Sequence, residues 1–151
     1  KINENAAEPY DVLDNIAHIE WDTLLFFFGV ILSVSGLGLI GYLELASKFM
    51  YTDLGATNAN ILVGILSAII DNIPVMFAVL SMDPTMPVSQ WLLATLTAGV
   101  GGSMLSIGSA AGVALMGQAK GYYTFFGHLK WAPIIAIGYF ASIYVHILVN
   151  F

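Results

Sequence analysis

The 151-residue chain contains no cysteine and no arginine, and its only basic residues besides histidine are Lys1, Lys48, Lys120 and Lys130. Without cysteine there is neither a disulfide framework nor a thiolate metal site. Without clustered Lys and Arg, and with a net charge of −6, electrostatic binding to nucleic acid is excluded. Charged residues make up 9% of the chain, against roughly 25% in an ordinary soluble domain. That scarcity argues against a soluble globular domain. Disorder is excluded too, because it needs low hydrophobicity and high charge, whereas 58% of these residues are apolar.

The few acids are unevenly placed. Glu4, Glu8, Asp11, Asp14, Glu20 and Asp22 fall in the first 22 residues, leaving four for the other 129. Residues 1–20 therefore read as an aqueous lead-in, in which Val12, Leu13, Ile16 and Ile19 recur at amphipathic helical spacing. Residues 21–151 read as a membrane domain. The chain starts on lysine with no basic n-region and no recognisable targeting segment, as expected of a piece of something longer.

A membrane span needs about 20 mostly apolar residues. Leu24 to Leu43 meets this without a charge, flanked by Trp21 and Tyr42. Glu44 to Thr57 is mixed and interfacial in character. Ile61 to Leu80 is apolar but interrupted by Asp71-Asn72, and Trp91 to Met116 is interrupted by Gly99 to Gly112. Trp131 to Phe151 is continuous and carries one ionisable group, His146. The order is an intact span, two broken elements, and an intact span. This predicts an all-α polytopic membrane fold.

The first break carries the strongest chemical signal. A carboxylate near the bilayer centre costs roughly 2.5–3.5 kcal/mol on insertion scales, so Asp71 needs a polar partner, water, a proton or a cation. Ser67, four residues earlier, shares its face if the helix continues. Pro74 has no N–H and leaves the Ile70 carbonyl without its helical partner, and Asn72 is suited to cap a new half-helix. A carboxylate, an amide, a hydroxyl and a free carbonyl then form an all-oxygen set of the kind hard cations bind. The competing reading is a water-exposed turn between two short helices.

The second break offers Gly101 and Gly102, whose backbones adopt angles closed to other residues, and Ser103, Ser106 and Ser109 at every third position. Unwound backbone at membrane depth is tolerated where it is buried or lines a cavity. One reading makes this segment a second set of oxygen ligands facing Asp71. The other is tight packing through the Gly108-x-x-x-Gly112 spacing.

Elsewhere, Asp22 and Thr23 open the first span, either as an interfacial acid in a first helical turn or as a second titrating site. His18 is placed to pair with Asp22 at the interface. His146 reads as a hydrogen-bonded packing residue. Glu44, Asp53, Asp83 and His128 flank spans and meet water, and Asn58 and Asn60 read as cap or turn residues. An intramembrane serine hydrolase pairing Ser103 or Ser109 with His146 lacks a G-x-S-x-G elbow. No enzymatic activity and no cofactor are expected.

WDTLLFF, LSAIIDNIPV and GGSMLSIGSAAGVALMGQAKGYYTFFGHLKWAP resemble the C-terminal half of NhaD-type sodium/proton antiporters, within the wider ion transporter superfamily. The DNIP and GG-x-x-x-S-x-GS stretches are shared with arsenite and dicarboxylate carriers; the WDT segment and the run to WAP are more specific. The resemblance implies one repeat of a two-repeat transporter, with Asp71-Asn72-Ile73-Pro74 at the tip of a re-entrant hairpin. Gly101 to Ser109 would be the break of a discontinuous helix. It also implies a cation and proton site built from Asp71, Asn72, Ser67, Asp22, Thr23, Ser106 and Ser109, with Asp71 and Asn72 on Na⁺. Pro74, Gly101, Gly102 and Gly108 would shape the breaks.

The expected activity is Na⁺ or Li⁺ exchange for H⁺ in a bacterial inner membrane, with lipid, an N-terminal half and a homodimer as partners. A carrier of arsenite or a carboxylate, or a non-transporting membrane subunit, are the alternatives. If Ile61 to Leu80 re-enters, Lys48 lies opposite Lys120 and Lys130. If it spans, all three share one side, as the positive-inside rule prefers.

Overall fold

The computed structural model describes residues 21–151. The acidic lead-in, its amphipathic stretch and His18 lie outside the described residues. Among those described, eight α-helices and one π-helical segment form the chain, with no strand. Helix α1 spans Trp21–Leu39 and α2 spans Tyr42–Ser47, running on as a π-helical segment over Lys48–Asp53. Then come α3 (Ala56–Ser67), α4 (Asn72–Met82), α5 (Val88–Gly101), α6 (Ala110–Gln118), α7 (Phe125–Leu129) and α8 (Ala132–Asn150).

The first span is shorter than its apolar run. Gly41 sits at φ +84°, a conformation glycine adopts without steric cost, and it ends α1 at Leu39 rather than Leu43. The chain then leaves at 84° to α1 along Tyr42–Asp53. α8 keeps its full length. At about 1.5 Å per residue its 19 residues nearly match a hydrocarbon core of about 30 Å. Among the described residues it is the one helix long and apolar enough to cross a membrane unaided; α1 with the bent segment is a second candidate.

Two packing clusters meet on α5. On one side Ala98 joins Val63 of α3 and Val75 and Val79 of α4, so both arms flanking the Asp71 break share a core. On the other, Leu93 packs with Tyr139 and Ile143 of α8. The approach of α3 to α5 is set by glycine. A Cβ on Gly101 would overlap the Gly64 carbonyl, and one on Gly64 would lie 2.6 Å from the Thr97 carbonyl. Small residues bring helices this close where lipid supplies no hydrophobic drive between them. Tyr139, fully buried, donates its hydroxyl to the Ile61 carbonyl at 2.7 Å and fixes α8 to α3.

The outward faces remain apolar. Leu25, Phe28 and Leu32 of α1 and Ile137, Tyr144 and Leu148 of α8 are exposed. A soluble core helix would bury such side chains; here they face outward, as lipid-facing residues do.

Candidate functional site where two helix breaks meet

Both interruptions read from the sequence are real breaks. α3 ends at Ser67, Ala68–Asp71 is non-helical, and α4 restarts at Asn72. The N-cap position belongs to Asp71 (φ −49°, ψ 138°), not to Asn72. Asn72 is instead the first helical residue, which places Pro74 in the first turn, where its missing N–H costs little. Among the described residues no backbone hydrogen bond ends on the carbonyls of Ala68, Ile69 or Ile70. Because the helix stops at Ser67, Ser67 and Asp71 do not share a helical face. The fully buried Ser67 hydroxyl donates to the Ala98 carbonyl of α5 at 2.8 Å.

The second interruption unwinds from Gly102 to Ser109. Its glycines serve close approach across the two breaks rather than a helix–helix GxxxG seam. A Cβ on Gly108 would stand 2.5 Å from the Ala68 carbonyl and 2.6 Å from that of Ser67. Gly112 lies instead against the Ser106 carbonyl of its own loop. The segment is thus unwound and tightly packed, but not through the Gly108-x-x-x-Gly112 spacing. Ser106 is buried and donates to the Met116 sulfur at 3.4 Å, a weak acceptor. Ser109 caps α6, its Oγ accepting from the Gly112 N–H at 3.1 Å. The three serines form no helical stripe, and Ser103 is exposed.

Asp71 holds the most telling atom. Its Oδ1 is buried and has no hydrogen-bond partner among the described residues. A buried polar atom without a partner is costly. The side chain lines an open cavity of about 850 Å³ together with Phe26, Ile70, Ile107, Ala110 and Val113. Two half-helix N-termini, those of α4 and α6, and two C-termini, those of α3 and α5, converge around the breaks. Such ends carry partial charges of both signs. Asn72 is not in this cavity. It lines a separate one of about 400 Å³ with Met76, Thr95 and Gly99, so Asp71 and Asn72 open on different cavities.

Asp22 and Thr23 belong to the first turn of α1; their side chains lie outside the described part of the structure. α1 itself packs on α4. His146 engages the Ser89 carbonyl through Nε2 at 3.0 Å and Asn150 through Nδ1 at 3.2 Å, so neither nitrogen faces Ser103 or Ser109. Glu44, Asp53 and Asp83 are exposed. Asn58 is neither a cap nor a turn residue: it lies in the first turn of α3 and donates Nδ2 to the Leu54 carbonyl at 3.0 Å.

Asn60 is not a cap. Fully buried, it donates Nδ2 to the backbone carbonyl and to Oε1 of Gln90, each at 2.9 Å. Gln90 in turn donates to Thr57 Oγ1 at 2.6 Å. This network ties α3 to α5 ahead of the breaks, and neither Gln90 nor Tyr139 stands out in the sequence.

An all-α body with outward apolar helices and two apposed breaks has the architecture of a polytopic membrane protein. The citrate transporter family matches residues 8–99, and the chain belongs to that family. It is 66% identical over 142 residues to the Na⁺/H⁺ antiporter NhaD of Alkalimonas amylolytica, covering 94% of this chain and 29% of that protein. Against the Na⁺/H⁺ antiporter NhaD of Vibrio parahaemolyticus it is 68% identical over 131 residues, covering 87% and 32%. Sodium/proton antiporter 1 of Arabidopsis thaliana is 37% identical over 156 residues, covering 97% and 26%. The chain thus spans about 30% of the length of the bacterial relatives. No solved structure matches it.

Proposed function

We propose that this chain is the part of a Na⁺/H⁺ antiporter in which a re-entrant hairpin and a discontinuous helix build one half of the ion site. The observation that carries the proposal is the buried, unpartnered Asp71 Oδ1 where the two breaks meet. A carboxylate oxygen held away from donors keeps its lone pairs for a cation or a proton. Occupancy by one excludes the other, and that competition couples Na⁺ or Li⁺ movement to H⁺ movement.

The carbonyls of the first break, Ser67 Oγ, Ser106 and Ser109 are the neutral ligands of this scheme. Asp22 and Thr23 join from α1. Asn72 contributes after a rotation toward the Asp71 side. The names of the antiporter relatives support the reading. So does the chemistry of the donor set, which is all oxygen, as hard cations require.

The working transporter sits in a bacterial inner membrane as a homodimer, with lipid around α1 and α8. The rest of the polypeptide supplies the opposing half-site, and no cofactor is needed. A carboxylate substrate is the second reading. It is favoured by the citrate transporter family match and by the half-helix N-termini beside the cavity, which suit anions.

The test is Na⁺-dependent proton flux in inverted vesicles carrying the complete transporter. Asp71→Asn abolishes it under this proposal. Wild-type flux in that variant refutes the proposal, and citrate-dependent uptake without Na⁺/H⁺ exchange favours the second reading.

A further inference from the structure

The unwound segment Gly102–Ser109 carries two of the proposed ligands, yet most of its hydrogen bonds are local turns. Ser103 and Met104 bond back to Val100 and Gly101, and Gly108 bonds back to Leu105. One bond is different. His128, on the short helix α7, reaches back 25 residues and places Nε2 3.0 Å from the Ser103 carbonyl. Its other nitrogen, Nδ1, lies 2.8 Å from the Tyr123 hydroxyl, and the two rings meet edge to face at 5.7 Å.

Chemistry fixes the direction of the bond to Ser103. A carbonyl only accepts, so Nε2 carries the hydrogen. In the neutral ring Nδ1 is then the acceptor, and the Tyr123 hydroxyl donates to it. The imidazole is therefore held at both ends, by the turn before α7 and by the backbone of the break.

We propose that His128 is a positioning residue for the ion site. Through the Ser103 carbonyl it holds the start of the unwound segment in register, so that Gly108 stays packed on the Ser67 and Ala68 carbonyls and Ile107 stays beside Asp71 in its cavity. The sequence supports a purpose for this geometry. Thr124 caps α7, its Oγ1 accepting from the Gly127 N–H at 3.1 Å, and the five-residue helix ends one residue beyond His128. The short helix thus presents the ring to the break. His128 touches no proposed ligand side chain; it acts through backbone.

This inference rests on the proposed ion site, and its test separates the two. In the complete transporter, hydrogen exchange of the peptide covering Gly102–Ser109 is compared among wild type, His128→Ala, His128→Gln and Tyr123→Phe. Apparent KM and maximal rate for Na⁺-dependent proton flux are measured alongside. Loss of one neutral hydrogen bond corresponds to about five-fold. We expect His128→Ala to speed exchange in that peptide and raise the KM for Na⁺ by about this factor, with the maximal rate changed less. His128→Gln, which keeps an N–H donor, restores both. Tyr123→Phe, a milder change, gives an intermediate shift.

Unchanged exchange and KM in His128→Ala overturn the inference, as does equal impairment in the alanine and glutamine variants. If Asp71→Asn still exchanges Na⁺ for H⁺, the ion-site reading fails whatever His128 does. If Asp71→Asn is inactive and His128→Ala is indistinguishable from wild type, only the positioning role fails.

Discussion

Replacing Gly108 by alanine is the sharpest structural test of the junction between the breaks. The new Cβ would stand 2.5 Å from the Ala68 carbonyl oxygen and 2.6 Å from that of Ser67. Carbon and carbonyl oxygen settle at about 3.3–3.6 Å, so the two segments must separate by about 0.8 Å. Neither neighbour is a flexible side-chain end; both are backbone at the end of α3, and the displacement falls on the non-helical segment that ends in Asp71. Overpacking of this kind costs about 1–3 kcal/mol in stability. Misplacing positioned groups by about 1 Å costs up to about 100-fold in rate.

The complete transporter carrying Gly108→Ala should therefore lose at least about ten-fold in Na⁺-dependent proton flux while still reaching the membrane. Gly117→Ala is the control. Its Cβ meets open space within α6, and alanine favours helix there by about 1 kcal/mol. Flux within two-fold of wild type in Gly108→Ala, with an unchanged Tm, would refute the claim that the two breaks touch.

Other expectations follow from the same geometry. Asn60→Ala strands the Gln90 side-chain oxygen inside the protein, at about 1–3 kcal/mol, and should lower the Tm of the purified transporter. Flux in that variant should fall less than in Gly108→Ala. Ser109→Ala removes the cap of α6, worth about 1 kcal/mol, and should speed hydrogen exchange at Gly112. Tyr139→Phe leaves the Ile61 carbonyl without its phenol and should cost about 1 kcal/mol, read as a Tm shift with no change in the Na⁺ dependence of flux.

Much of this architecture is legible in the chain because its punctuation acts locally. Pro74 removes a specific hydrogen-bond donor, so a break near Ile70 follows from one residue. Gly101 and Gly102 do stand at the second break, but neither takes a left-handed angle; Gly102 is right-handed helical in backbone and Gly101 serves the close contact with Gly64. The bend at Gly41 is also local, but a window of uniformly apolar residues hides it, and hydropathy alone runs the span on to Leu43.

What the sequence withholds is long-range. Asn60 looks like any helix-start asparagine until Gln90, thirty residues on, is brought against it. Tyr139 is one aromatic among many until its hydroxyl meets Ile61 across 78 residues. Asp71 and Asn72 are adjacent in sequence and look like one ligand pair. The start of a helix between them turns them toward separate cavities, and no spacing rule anticipates that.

In the proposed mechanism one carboxylate, Asp71, holds either a proton or a sodium ion. The most direct measurement adds Na⁺ to the purified complete transporter in weakly buffered solution and follows proton release. Wild type should release protons as Na⁺ binds, and Asp71→Asn should release none. Equal release from the Asp71→Asn protein would contradict the mechanism.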